Sequence, residues 1–119
     1  MYLVNLEKIV QSVKAKLENQ AFTGNQEAYN TAVGYGAGND ITTSTLNTLI
    51  GAFTGDALTT GNSNVALGYT ALSSETAGHR NVAIGNAALF SQNNTSSTNA
   101  YNVAVGYDAG KQVTTGVEN

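Results

Sequence analysis

The fold is decided by a short pattern that reads Asn64-Val-Ala-Leu-Gly-Tyr-Thr-Ala-Leu72 in the middle of the chain. An asparagine, small and branched apolar residues and a glycine return in the same order in four other places. The copies begin at Asn30, Asn47, Asn64, Asn81 and Asn102, and Asn119 has the phase of a sixth. The first three steps between copies are equal, and the fourth is longer by four residues. Residues 30–119 are therefore tandem units, and units of this kind stack on their neighbours.

The fifth position of every unit is a glycine, and the residues around it alternate in size. The glycines are Gly34, Gly51, Gly68, Gly85 and Gly106. In the last unit Val103, Val105 and Tyr107 would share one face of a strand, and the small residues between them would share the other. A helix is disfavoured because each interior glycine costs roughly 1 kcal/mol relative to alanine. We predict a mainly β chain, a parallel β-roll or β-solenoid of 17-residue units, in which stacking buries the large face.

Each unit ends in threonine and glycine. The thirteenth residues include Thr42, Thr59, Thr76 and Thr114, and the fifteenth include Gly61, Gly78 and Gly116, with Ser44 in the first unit. We predict a turn there, where glycine permits a positive φ at little steric cost.

The asparagine at position 1 has two interpretations. It is a turn residue in the left-handed conformation, which asparagine tolerates. Alternatively, its side-chain amides stack into a hydrogen-bonded ladder along the coil, as amides do in other stacked sheets. Both roles are structural, and neither is catalytic.

Residues 1–20 carry a different period. Apolar residues spaced alternately by three and four form a heptad seam of Leu3, Leu6, Val10, Val13 and Leu17. The helix that they predict either packs on its own domain or joins several chains, and we favour the second because a solenoid offers no globular core to dock on. A helix this short is marginal alone, so it would act together with the solenoid or a larger assembly. Residues 21–29 are the transition, and residues 30–119 are the repeats.

Composition excludes several classes of protein. The 119 residues have a net charge of −3 and no cysteine, and only 11% of them are charged. Of the five cations, Lys8, Lys14 and Lys16 all precede Leu17, so no basic stripe remains on the repeats for nucleic acid. Without cysteine there is no disulfide framework or thiolate site. No stretch is long and apolar enough to span a bilayer, and the N-terminus does not have the pattern of a signal peptide.

The repeat resembles the head repeats of trimeric autotransporter adhesins, and still more the related repeats in fibres of phages and marine viruses. The resemblance lies in the Asn-Thr/Val-Ala-Val/Ile-Gly-Tyr-x-Ala units of residues 30–119, each with its Thr-Thr-Gly turn. It implies a left-handed roll of three intertwined identical chains joined to coiled-coil stalks, in a surface fibre that attaches to host cells or matrix.

This chain shows neither the export signal nor the membrane anchor that a bacterial adhesin needs. We therefore expect a virion fibre of the tail or capsid, displayed on the virion surface, with the head of a bacterial surface adhesin as the alternative. Its partners would be two further copies of the chain, other virion proteins through the N-terminal helix, and a host receptor or glycan.

Groups that could support catalysis are few. His79 is the only histidine and falls in a turn between units, and the acidic residues occupy positions that do not correspond between units. No nucleophile motif or phosphate-binding loop is present. We expect no enzymatic activity, no cofactor and no metal site.

The four extra residues before Asn102 fall in a polar segment that runs from Leu89 to Ala100. Insertions in solenoids gather on one face, which is often a binding face. The segment is therefore either a tolerated decoration or a contact loop for a glycan, a receptor or a neighbouring virion protein. The candidate contact residues are Gln92, Asn93, Asn94 and Thr95.

The paired threonines suggest a distant alternative. Thr42-Thr43, Thr59-Thr60 and Thr114-Thr115 recur at one register, as ranked threonines do on ice-binding solenoids. Adjacent residues of a strand point to opposite faces, however, so the pairs do not form one flat array.

Overall fold

The structure, a computed structural model, describes residues 28–119. This part of the chain is mainly β and contains no helix. The N-terminal helix predicted for residues 1–20, with its heptad residues, lies outside the described residues, as does most of the transition at 21–29. The strands are β1 (Thr31–Val33), β2 (Thr48–Ile50), β3 (Val65–Leu67), β4 (Gly78–His79), β5 (Val82–Ile84), β6 (Thr98–Asn99) and β7 (Val103–Val105).

The chain winds into a parallel solenoid of about four turns, along which the five units stack. One parallel sheet has the strand order β1-β2-β3-β5-β7, and a second, two-stranded parallel sheet pairs β4 with β6. In the larger sheet Ala66 lies opposite Leu49 of the preceding unit on one side and Ala83 of the following unit on the other. Val82 lies opposite Val103 although its unit is the longer one, so the extra residues leave the main sheet in register. The prediction of a mainly β, parallel solenoid is confirmed.

The large face of the strands points away from the solenoid, contrary to our expectation that stacking would bury it. The interior receives the third residue of each unit, which is small in four units of five: Ala32, Leu49, Ala66, Ala83 and Ala104. A single coil is narrow, so its two walls leave room for little more than a methyl group from most strands. The branched residues at positions 2 and 4 consequently line the outside.

Two positions of the repeat, 3 and 9, fill the interior together, and a large residue at one of them is accompanied by a small residue at the other. Leu49 occupies the space that glycine leaves at position 9, since a Cβ on Gly55 would lie 2.9 Å from Leu49 Cδ2 and one on Gly38 would lie 3.0 Å from Leu49 Cδ1. Where position 9 is Leu72 or Leu89, position 3 of the same unit is alanine. Large residues in one column therefore face small residues in the other, and no single column keeps its residue size.

Glycine at position 5 is required by contact between coils. Its φ lies between 127° and 134° in all five units, a region that residues with a side chain rarely adopt. A Cβ on Gly68 would also lie 2.5 Å from the carbonyl oxygen of Gly85 in the next coil. Each coil thus approaches the next at backbone distance along this column.

The glycines at position 15 do not use the positive φ that glycine permits. Gly61, Gly78 and Gly116 do not have φ in that region. Glycine is required at these three residues because a side chain would overlap its neighbours: a Cβ on Gly61 would lie 2.7 Å from Leu58 Cδ1. The left-handed corner comes at the residue directly before each repeat asparagine, where φ lies between 50° and 63°: Tyr29, Leu46, Ser63, Arg80, Tyr101 and Glu118.

Candidate functional site

The repeated asparagines form a ladder along the coil, which is the second of the two roles considered for them. The backbone N and side-chain Nδ2 of Asn64 both donate to Oδ1 of Asn47, at 2.8 and 3.1 Å. Nδ2 also donates to the carbonyl of Gly78 at 3.0 Å, and Asn64 Oδ1 accepts from both nitrogens of Asn81. None of the asparagines at position 1 has a positive φ. Each buried amide therefore ties the start of a coil to its own end and to the next coil.

The ladder changes at the coil that carries the extra residues. The backbone N of Asn102 still donates to Asn81 Oδ1, at 3.3 Å. Its Nδ2 keeps the regular bond to the carbonyl at the end of its own coil, that of Gly116, at 2.6 Å, but it donates to Oε1 of Gln92 at 2.8 Å in place of Asn81 Oδ1. A glutamine side chain from the preceding coil thus enters the ladder where the regular geometry is interrupted.

Glu75 is the centre of a buried polar network that sequence reasoning missed. Its side chain is fully buried, in the column that Leu58 fills in the preceding unit. Oε1 accepts from the backbone N–H groups of Thr76 (3.0 Å), Gly78 (2.8 Å) and Asn94 (2.9 Å). Oε2 accepts from Nε2 of Gln92 at 2.8 Å and Nδ2 of Asn94 at 3.2 Å. Five donors satisfy both oxygens, so the network fixes how the extra residues leave the coil.

The predicted contact loop is only partly at the surface. Gln92 is fully buried and Asn94 is 6% exposed, because both bind Glu75 inside the solenoid, so these two are wrong as contact residues. Asn93 is half-buried, and its Oδ1 accepts from Thr76 Oγ1 at 2.8 Å. Of the four, Thr95 alone is exposed, and the exposed stretch continues through residues 96 and 97.

A polar depression of about 260 Å³ lies where the exposed part of the insertion meets the preceding coils. Its lining residues are Asn62, Ser63, His79, Arg80, Ser97 and Asn99. Both ring nitrogens of His79 are engaged: Nδ1 accepts from the backbone N of Asn62 at 2.8 Å, and Nε2 lies 2.7 Å from Ser97 Oγ. His79, expected to be an ordinary turn residue, thus joins the insertion to the coil before it. Pairing of β4 with β6 holds the same junction from the backbone.

Arg80 lies at the rim of this depression in a fixed position. Its Nη1 donates to Oδ1 of Asn99 and, at 3.3 Å, to the hydroxyl of Tyr101. The guanidinium carbon also lies 5.6 Å from the centre of the Tyr101 ring, a cation–π distance. No carboxylate within the described part of the chain pairs with Arg80, whereas Lys111 lies 3.1 Å from Asp108.

The outer face of the main sheet is apolar and exposed. Positions 2, 4 and 6 of the five units carry only uncharged residues, mainly valine, isoleucine, leucine and tyrosine. Val105 is 66% exposed, and Tyr35 and Tyr107 are 76% and 78% exposed. Along one edge Tyr35, Phe53 and Tyr69 meet edge to face, with ring centres 5.4 and 6.2 Å apart. Contiguous apolar patches of this kind usually mark interaction sites.

The threonines at position 13 do not present a free array. Oγ1 of Thr42 donates to the carbonyl of Thr59 at 3.0 Å, and Oγ1 of Thr59 donates to that of Thr76 at 3.1 Å. Their hydroxyl protons are therefore used to join the coils.

Acidic groups are scattered. Burial raises the pKa of Asp56 above its ordinary value of 3.8, and the carboxylate of Asp40 adds to the rise, although backbone hydrogen bonds oppose it. Within residues 28–119 no three histidine or acidic side chains come together as metal ligands. The same residues include no helix long and apolar enough to cross a bilayer.

Comparison with protein-family models, with curated proteins and with solved structures found no match for this chain. The resemblance to adhesin and viral fibre repeats therefore rests on the repeat residues themselves.

Proposed function

We propose that the chain is a structural segment of a homotrimeric virion fibre that contributes to host attachment. The observation that carries the proposal is the uncharged apolar outer face of the main sheet. Parallel sheets are normally covered on both faces, and here the solenoid covers only the inner one. A partner that covers the outer face along its whole length has to be as long and as apolar as the chain itself.

Further copies of the same chain meet this requirement. Val33, Ile50, Ile84, Val103 and Val105 are each between 36% and 66% exposed on this face. Fully burying a side chain of this type contributes about 1.5–3 kcal/mol, so covering what remains exposed contributes roughly half as much for each residue. Several such residues in each of three chains give an apolar interface of the kind that permanent oligomers have.

In this proposal the described coils form a rigid shaft or head, and the exposed insertion does the recognising. The heptad residues Leu3, Leu6, Val10, Val13 and Leu17 would trimerise the chain or anchor it to other virion proteins. The mechanism is mechanical, and no catalytic group takes part. The head of a bacterial trimeric adhesin is the alternative, since it would use the same interface on a cell surface. Ice binding is less well supported, because the position-13 hydroxyls are used within the coil.

Sedimentation equilibrium of the full chain tests the proposal. The expected mass is three times the 12.3 kDa of one chain. Ile84→Asp places a carboxylate in the apolar face, and burying it without a partner costs several kcal/mol, so this variant should sediment as a monomer. Thr43→Asp is the matched control, because Thr43 is exposed away from positions 2, 4 and 6. A wild-type monomer, or an Ile84→Asp trimer as stable as the wild type, would overturn the proposal.

A further inference from the structure

The polar depression at the insertion lies at the surface, where the solenoid departs from its repeat and polar side chains come together. One wall is formed by Ser97 and Asn99 of the extra segment, and the other by Asn62 and Ser63 of an earlier coil. At the register of Arg80 the other coils carry Tyr29, Leu46, Ser63, Tyr101 and Glu118, so the arrangement belongs to this coil only.

Arg80 presents one free edge of its guanidinium. Both of its described hydrogen bonds are made by Nη1, to Asn99 and Tyr101. Nε and Nη2 make no hydrogen bond within the described chain, and Arg80 is exposed. These two N–H groups are parallel, which is the geometry that binds a carboxylate through both of its oxygens. Because Asn99 and Tyr101 already hold the side chain, little rotamer entropy remains to be lost on binding.

The rest of the depression suits hydroxyl groups. Asn62 accepts from the backbone N of Thr45 through its Oδ1, and its Nδ2 is not used in any described bond. The amide nitrogen of Asn99 is likewise unused within the described residues. Amides of this kind exchange hydrogen bonds with neutral ring hydroxyls. A volume of about 260 Å³ lies just below the usual range of ligand pockets, so the depression suits a small polar ligand.

We propose that this depression binds a carboxylate-bearing saccharide, with the Nε–Nη2 edge of Arg80 on the carboxylate and the side chains of Asn62 and Asn99 on ring hydroxyls. The inference deepens the proposed function, on which its biological setting rests, by naming the chemistry that the fibre would recognise. Acidic sugars of two kinds have this chemistry, the uronic acids and the sialic acids.

Isothermal titration of the full chain with four small probes tests the site. Methyl glucuronide carries a carboxylate where methyl glucoside carries a hydroxymethyl group, and the two are otherwise identical. If methyl glucuronide binds and methyl glucoside does not, the site recognises the carboxylate. The methyl glycoside of N-acetylneuraminic acid tells sialic from uronic acids. Acetate is the fourth probe, and if it binds as tightly as the sugars, a saccharide site is overturned.

Variants at Arg80 complete the test. Arg80→Ser introduces a residue that Ser63 already shows to fit the same backbone, with φ of 60° against 63°. It should weaken binding of the preferred acidic sugar about tenfold or more, as loss of a charged bidentate contact does. Arg80→Lys should weaken it similarly, because an ammonium lacks the fork. Lys111→Gln, at a cation already paired with Asp108, should leave affinity unchanged.

Failure of the site and failure of the fibre proposal give different results. A trimer that binds neither acidic sugar, or whose binding survives Arg80→Ser, overturns the site and leaves the fibre proposal standing. A monomer that binds an acidic sugar through Arg80 supports the site and overturns the trimer. Thermal melts of each variant by circular dichroism ensure that a lost signal comes from a folded chain.

Discussion

Replacing Gly68 with alanine tests whether neighbouring coils are held at backbone contact. A Cβ there would lie 2.5 Å from the carbonyl oxygen of Gly85 and 2.6 Å from its carbonyl carbon. The φ of Gly68 is 127°, so alanine would also be strained. Gly106 has nearly the same φ, 131°, but a Cβ there would meet nothing nearer than Ala109 Cβ at 3.9 Å. The two substitutions therefore separate backbone strain from overlap between coils.

We expect Gly106→Ala to lower the free energy of unfolding by about 1–3 kcal/mol, which is the usual strain in a sparsely populated region. Gly68→Ala carries the same strain together with an overlap that only a backbone shift can relieve, for which overpacking suggests about 1–3 kcal/mol more. Its total of about 2–6 kcal/mol is a large part of the stability of an ordinary domain. Urea titration followed by far-ultraviolet circular dichroism measures both losses of stability. The comparison requires that the free energy of unfolding has the same dependence on urea concentration in the variants as in the wild type.

Equal destabilisation by the two alanines would refute the close approach of the coils. Gly106 lies in the last complete unit, where local fraying could weaken its effect. Gly51→Ala provides a second interior test, because its φ is also 131° and its Cβ would lie 2.8 Å from the backbone of Gly68. Gly51→Ala should therefore lower the free energy of unfolding by about as much as Gly68→Ala does. A loss no larger than that of Gly106→Ala would contradict the close approach of the coils.

Buried polar groups provide three further predictions. Asn64→Asp should lower the urea-derived free energy of unfolding by roughly 3–5 kcal/mol at neutral pH, because a carboxylate would face two acceptors and have no proton to donate; a stable variant would contradict the ladder. Glu75→Gln should lower it by about 1.5–3 kcal/mol, since an amide nitrogen cannot accept from Gln92 and Asn94. The raised pKa of Asp56 means that the folded chain binds this proton more tightly than the unfolded chain, so the contribution of Asp56 to stability falls as pH rises through and above 3.8. Asp56→Asn should therefore raise the melting temperature at pH 7 and leave it nearly unchanged at pH 3, and the opposite order would refute the cause given.

The period of the fold could be predicted from sequence, but the direction of its faces could not. The step from Asn47 to Asn64 is visible without coordinates, and it is also the offset between paired strands. Alternation in β2 and β3 shows only that two faces differ. Which of them is inside depends on the width of the coil, which leaves room for no more than alanine at position 3 of most units and which no residue pattern displays.

The candidate site was harder to predict because its parts are distant in sequence and unremarkable alone. Glu75 looked like one more scattered acid, and only stacking brings Gln92 and Asn94 to it. One signal was available: Glu75 and Gln92 stand where neighbouring units carry Leu58 and Val113, so two polar residues interrupt an apolar column in succession. No sequence pattern predicts that the Nε–Nη2 edge of Arg80 is left without a hydrogen bond, because this depends on the contact of Nη1 with Asn99 in the following coil.

The bond between Gln92 and Glu75 restricts how such a chain can change its length. Copies of a repeat are readily gained or lost in whole units during replication, and here each unit resembles the next. Duplicating residues 64–80 would nevertheless set a second carboxylate one coil above Glu75, in the place of the amide that now donates to it. Two buried like charges would then face each other. The third and fourth units are thus an ordered pair, and growth or shortening of the array has to occur elsewhere along it.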